Sequence, residues 1–137
     1  QAFLSAATAN DDIDGELVDI KLAMAICYDL RFPELFRKYD ADIVFLPSAF
    51  NDKTGEAHWE PLLRARAIEN SCYVVAPNQY GKSSSFNCYG HSMAVSPWGE
   101  IICELSADQA EIKLIEIDLK AVSKTRQILP LINARLV

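Results

Sequence analysis

Cys27 is the side chain best placed to do chemistry, because of what flanks it. Before it, Ile20-Lys21-Leu22-Ala23-Met24-Ala25-Ile26 is almost wholly apolar, as a strand covered on both faces would be. After it, Tyr28-Asp29-Leu30-Arg31-Phe32-Pro33-Glu34-Leu35-Phe36 carries a proline suited to a first helical turn. A thiol at a strand-to-helix junction faces unpaired backbone N–H groups and the positive end of a helix dipole, and both favour thiolate. The alternative is a small buried hydrophobe, the common fate of a free cysteine; the junction favours the nucleophile. The second candidate is Glu60, between Trp59 and Pro61 near the start of a predicted helix. It is either a partly buried, perturbed carboxylate or a plain first-turn glutamate complementing the dipole. The local sequence favours the plain role.

The elements that must position these groups follow a strand–helix alternation and then a run of strands. The first strand is expected over Leu17 to Ile26, and a helix starts over Pro33 to Lys38. Asp42 to Pro47 reads as a second buried strand, rich in β-branched and aromatic residues and ended by proline. Two strands joined through a helix are expected to lie parallel with a right-handed crossover. Asn51 to Gly55 has loop composition. From Ala57 to Asn70 the apolar residues Trp59, Leu62, Leu63 and Ala67 recur at helical spacing. Tyr73 to Pro77 is another short strand, and Gly81 to Asn87, with three serines in a row, reads as a surface loop. His91 to Ser96, Ile101 to Leu105 and Ile112 to Ile117 read as three strands, the first two joined by the Pro97-Trp98-Gly99-Glu100 turn. Asp118 is expected to cap a final helix over Leu119 to Leu129, stopped by Pro130.

Bulk properties narrow the function classes. The 137 residues suffice for one domain with a real core, half of them hydrophobic and 23% charged. A net charge of −6 argues against a nucleic-acid partner, whose usual footprint is a basic face. No apolar run approaches the roughly 18 residues of a membrane span, and Gln1 to Ala7 reads as a poor signal peptide. Cys27, Cys72, Cys88 and Cys103 include no C-x-x-C pair, so metal-site and thioredoxin readings fail on spacing. Free thiols point to a cytoplasmic protein. The initial Gln1 suggests processing or a missing upstream part.

The segment from Ile26 to Leu35 closely resembles the nucleophile segment of the nitrilase (carbon–nitrogen hydrolase) superfamily. The resemblance continues through Pro47-Ser48-Ala49-Phe50, Thr54-Gly55 with Ala57-His58-Trp59-Glu60, and Arg64 to Asn70. It resumes at Tyr89-Gly90-His91-Ser92, Pro97-Trp98-Gly99-Glu100 and Ile117-Asp118-Leu119. The branch it looks most like is the Nit group of small-amide hydrolases. The resemblance implies an α/β fold, part of a four-layer α-β-β-α sandwich, and a Cys–Glu–Lys site without metal or cofactor. The cysteine attacks a small carboxylate-bearing amide, a thioester forms, and water releases the acid after ammonia has left. Cys27 matches the nucleophile, the backbone N–H of Tyr28 an oxyanion donor, and Glu60 the family's second glutamate, which holds the lysine. Homo-oligomers, pairing through the helices after the nucleophile strand and after Glu60, are implied as well.

The family's base glutamate and its lysine lie upstream of the cysteine. Only 26 residues precede Cys27 here. Lys21 falls within the strand and points off the site, and Glu16 is wrongly placed for the base. The chain is therefore expected to be one domain over 1–137 that is N-terminally truncated and inactive alone, each missing group costing of the order of 10²–10³-fold or more. Its strands should then show open edges and an uncovered face. The alternative is a catalytically dead pseudoenzyme or assembly subunit that binds a full-length partner. His58 and His91 raise a Cys–His pair, but the resemblance makes them structural hydrogen-bonders. Arg64 and Arg66 are expected in structural ion pairs with Glu69 or Asp29, and Asp29, Arg31 and Glu34 around the elbow. Trp59 and Trp98 are expected as core or interface aromatics. The remaining cysteines should be packing residues.

Overall fold

The computed structural model of the chain describes residues 7–8, 19–131, 133 and 134. The apolar run before Cys27 is used in two pieces. β2 (Asp19–Ile20) pairs antiparallel with β1 (Ala7–Thr8), and β3 (Leu22–Met24) enters the main sheet. Residues 17 and 18, expected in the first strand, lie outside the described residues, as does Glu16. β4 (Ile43–Phe45) and β5 (Tyr73–Ala76) follow, then β6 (Tyr80–Lys82), β7 (Asn87–Tyr89), β8 (Met93–Val95) and β9 (Ile101–Glu104). The five-stranded sheet runs β3-β4-β5-β8-β9: the first three strands are parallel, and β8 and β9 return antiparallel. The parallel pairing expected of β3 and β4 is present, with Ala23 opposite Val44.

Alternation sorts the sheet residues between two faces. Ala23, Val44, Val74, Ala76 and Val95 point to α1 (Pro33–Tyr39) and α2 (Asp52–Asn70), where Leu30, Phe36, Trp59, Leu63 and Ala67 complete a core. Ile43 and Tyr73 point the other way, toward Val122 of α3 (Leu119–Ile128). The described residues thus supply one β layer and its helix layer, with α3 on part of the opposite face. The rest of that face is less covered. Phe45, Val75, Ala94, Cys103 and Ile115 line an apolar cleft of about 350 Å³ on it.

Three elements differ from the sequence expectation. The loop expected over Asn51 to Gly55 is instead the start of α2. The side chain of Asn51 caps it by accepting the Lys53 N–H at 2.9 Å. Pro61 and Glu60 are therefore well inside the helix, and the first-turn role for Glu60 is excluded. The loop from Gly81 to Asn87 contains strand residues: β6 and β7 pair as a hairpin closed by a Ser83 N–H to Phe86 C=O bond of 2.8 Å. Ile112 to Ile117 forms no strand. Its alternation is real, with Ile112 and Leu114 97% and 94% exposed while Ile115 and Ile117 turn inward. A strand also needs a ladder partner, and no described strand runs alongside it. The final helix agrees with its cap: Asp118 accepts the Lys120 N–H at 2.9 Å, and Leu129 closes the end.

Candidate active site

Cys27 stands where β3 has left the sheet, as the first residue of a 3₁₀ turn over Cys27–Arg31. Its N–H reaches the carbonyl of Pro47 at 3.0 Å, two residues after Ala25 bonded Phe45 at 2.9 Å. The nucleophile position is thus fixed by the end of the neighbouring parallel strand. Cys27 has φ 45°, a left-handed conformation that disfavours any side chain with a Cβ. Non-glycine residues in this region cost about 1–3 kcal/mol and cluster at functional sites. The turn holds it there: Asp29 accepts the Ile26 N–H on its carboxylate, and its own N–H returns to the Ile26 carbonyl, both at 2.9 Å. The α-helix begins only at Pro33, so the N–H groups near the thiol belong to the 3₁₀ turn and not to α1. Among the described residues the Tyr28 N–H meets no acceptor, which leaves a backbone donor free beside the thiol.

Helix α2 braces this elbow along its length. The buried Arg66 donates to the Leu30 carbonyl at 3.0 Å, is paired with Glu69 at 3.1 Å, and lies over the Phe36 ring. Arg31 meets Nδ1 of His58 at 3.2 Å and sits over the Tyr28 and Phe50 rings. Trp59 is fully buried, packs against Phe50 with the two rings tilted, and donates to the His91 carbonyl at 2.8 Å. His91 bonds Glu104 at 2.8 Å. Both histidines are therefore engaged as structural hydrogen-bonders, while Trp98 is exposed.

Asn78 was not evident from the sequence, because nothing local marks it. It is buried and ties three segments together: its side chain accepts the Phe50 N–H at 2.9 Å and donates to the Gly90 carbonyl at 2.6 Å, and its backbone N–H donates to the Ser92 hydroxyl at 2.8 Å. Cys88 is buried. Burial raises its thiol pKa, and the charges of Asp52 and Cys27 raise it further. Cys72 is sealed off, its thiol pushed up to about 12 by burial.

Glu60 is not brought to the thiol by any contact among the described residues. It projects from the exposed side of α2 and pairs with Arg64 at 3.2 Å, whose Nε donates to the Gly99 carbonyl at 2.8 Å. Lys21 is turned away as expected, held by Asp40 at 2.7 Å on the surface. Among the described residues no group of three or more His, Cys, Asp or Glu could hold a metal ion, and no helix is long and apolar enough to cross a membrane.

A strained cysteine ending a parallel strand has relatives. A sequence profile described as carbon-nitrogen hydrolase matches residues 7–127. The chain belongs to the carbon-nitrogen hydrolase family. A protein named deaminated glutathione amidase from Dictyostelium discoideum is 50% identical over 117 residues, covering 82% of this chain and 40% of that protein. The crystal structure of Saccharomyces cerevisiae Nit3, a member of branch 10 of the nitrilase superfamily, superimposes with a TM-score of 0.78 at 37% identity. That match covers 91% of this chain and 46% of Nit3. A mutant of the amidase from Nesterenkonia sp. AN1 matches with a TM-score of 0.58 at 33% identity over 64% of this chain and 34% of its own. Its structure shows the acetamide moiety of fluoroacetamide added covalently at the active-site cysteine. The chain spans less than half the length of these relatives. The carbon-nitrogen hydrolase relationship establishes the nitrilase-like α/β fold, of which the sheet with α1 and α2 is a part.

Proposed function

We propose that this chain carries the nucleophile of a cysteine amidase that hydrolyses a small carboxylate-bearing amide to an acid and ammonia. The observation that carries this reading is Cys27 in a left-handed conformation at the end of β3, with the Tyr28 N–H unclaimed among the described residues. The Cys27 sulfur attacks the amide carbon, and the carbonyl electron pair moves to oxygen. The Tyr28 N–H donates to that oxyanion. The tetrahedral species collapses to a thioester as the C–N bond breaks, and the thiol proton leaves with nitrogen as ammonia. Water then attacks the thioester, releasing the acid and restoring the thiol. A general base and a cation must assist both halves, and no described residue beside Cys27 supplies either. The described chain by itself is therefore a poor catalyst. Glu60 acts as a positioning residue in this scheme, holding Arg64 on the turn at Gly99. Four unpaired cysteines support a reducing compartment, the cytoplasm.

The test is ammonia release by the protein expressed from its native gene, against its Cys27→Ala variant. Replacing the nucleophile should lower the rate by roughly 10⁴–10⁶-fold. Ammonia release retained in the variant would sink the assignment.

A second reading, a non-catalytic assembly subunit, rests on the apolar cleft beside Phe45 and Val75 and on the exposed Ile112 and Leu114. It predicts self-association, or capture of a longer homologue. Sedimentation as a monomer at high protein concentration would count against it.

A further inference from the structure

Arg31 closes the nucleophile turn that Cys27 opens, and it is held differently from the arginines around it. Arg64, Arg66 and Arg126 each pair with a carboxylate. Among the described residues Arg31 has no carboxylate partner. Its guanidinium meets Nδ1 of His58 on α2 at 3.2 Å and lies over the Tyr28 and Phe50 rings, 5.6 Å and 5.1 Å from their centroids. We propose that Arg31 and His58 are positioning residues for the oxyanion donor: they fix the Tyr28 side chain and, through it, the backbone N–H that receives the developing negative charge. That N–H is unclaimed among the described residues, and the proposal rests on Cys27 being the nucleophile.

A guanidinium only donates, so the His58 nitrogen that meets it carries no proton and the imidazole is neutral, with its proton on Nε2. The acceptor is thus mounted on a helix and not on a loop. Tyr28 is 66% exposed, and a side chain so open has several rotamers available to it. Here its ring is covered by Arg31 and meets Phe32 edge-on at 5.7 Å. Phe50, the second ring under the guanidinium, is buried and immobile: its N–H goes to the Asn78 side chain at 2.9 Å, and its ring packs 5.0 Å from that of Trp59. Arg31 is therefore seated on a fixed ring, tied at its tip to a fixed helix, and laid over the one aromatic ring of the nucleophile turn. Without it Tyr28 keeps only Phe32, itself half-exposed. The other ties of the turn act at different residues. Cys27 N–H bonds Pro47, Asp29 takes the Ile26 N–H, and Arg66 holds the Leu30 carbonyl. None of these three bonds includes Tyr28.

The test separates chemistry that builds an oxyanion from chemistry that does not. p-Nitrophenyl acetate acylates a thiol through a tetrahedral oxyanion, giving a thioester as p-nitrophenolate leaves; iodoacetamide alkylates it by direct displacement of iodide. Both reagents act on the chain as it stands, and peptide mass spectrometry follows Cys27 in each. Arg31→Met and His58→Leu should each slow acylation by about 5-fold, the order of one exposed cation–π contact, and leave alkylation unchanged. The loss stays well short of the roughly 10²–10³-fold of removing an oxyanion donor outright. His58→Asn should acylate at the parent rate, because its amide oxygen offers an acceptor about where Nδ1 stood. The ratio of the two rates within one protein cancels any general change in access to the thiol. Equal slowing of both reactions reduces the pair to a structural brace, and acylation unchanged in Arg31→Met and His58→Leu removes it from the site. A His58→Asn variant as slow as His58→Leu shows that the acceptor is not what counts. Each of these results overturns the proposal and leaves the nucleophile standing. A parent Cys27 that neither reagent modifies overturns both.

Discussion

Replacing Arg66 by Met tests whether α2 holds the nucleophile turn in place. The guanidinium is 4% exposed, donates to the Leu30 carbonyl at 3.0 Å and pairs with Glu69 at 3.1 Å. Methionine fills much of the same volume but can donate to neither. Removing one member of a buried pair costs about 3–5 kcal/mol. Glu69 is one-third exposed and rehydrates once released, which puts the expected loss at the lower end of that range. The Leu30 carbonyl contributes within the same figure, since a buried acceptor left unpaired accounts for about 1–3 kcal/mol. About 3 kcal/mol is therefore expected, and for a chain of this size a fall in Tm of roughly 10 °C.

Glu69→Gln is the control. It leaves the bond to Leu30 in place and removes a partly exposed charge, so its effect should be about 1 kcal/mol or less. Urea and thermal unfolding followed by circular dichroism measure both variants, and alkylation of Cys27 at a temperature where each is folded reports the turn. Arg66→Met should slow that alkylation and Glu69→Gln should not. If Arg66→Met unfolds within about 0.5 kcal/mol of the parent, the range of ordinary surface changes, then Arg66 does not brace the turn and this reasoning fails.

Gly55→Ala should destabilise the chain by about 1–3 kcal/mol, as overpacking does, because a Cβ there would sit 2.3 Å from Cγ of Tyr89 and Tyr89 is anchored to the Phe50 carbonyl. Equilibrium unfolding reads it, and a parent-like midpoint would show that the α2–hairpin contact is loose. Alkaline pH gives a further prediction. The Cys72 thiol ionises near 9.0 when unfolded and at about 12 when buried, so the native state holds its proton more tightly. That stability is fully present below pH 9 and is lost as pH rises toward 12, at up to about 1.4 kcal/mol per pH unit. Tyr39, Tyr73 and Tyr89, also raised by burial, add to the decline from pH 10. Urea unfolding at pH 8 and 10.5 should show the fall, and Cys72→Ala should make it shallower; an unchanged slope in the variant would mean that Cys72 is not the group responsible.

The nucleophile was legible because its signal is local. An apolar run that stops at a cysteine, with a proline six positions on, specifies a strand end and a turn without reference to the rest of the chain. The cap at Asp118 and the buried strands β4 and β5 are legible for the same reason. The start of α2 was not, since Asn51, Asp52, Thr54 and Gly55 suit a turn as well as a helix N-terminus. What decides is Tyr89, whose ring lies where a Cβ on residue 55 would go, and Tyr89 is remote in sequence. The hairpin was hidden in the same way: its serines read as a loop, and the bridge from Asn51 to Cys88 sets its position. For Glu60 the helix was foreseen and its exposure was readable. Trp59, Leu63 and Ala67 define the buried stripe, and the residue after Trp59 is rotated about 100° from it.

Helix α2 serves three separate parts of the candidate site. Its start anchors the hairpin through Asn51; its middle, through Trp59, fixes the carbonyl of His91; its last turns, through Arg66, grip the nucleophile turn. These contacts lie on one rigid element, so their spacing along the site is set by helix rise, about 1.5 Å per residue, and not by loop conformation. The strain at Cys27 fits the same construction. A left-handed cysteine persists only where its surroundings over-determine it, and here a neighbouring strand, the Asp29 carboxylate and the Arg66 guanidinium each fix the turn from a different side.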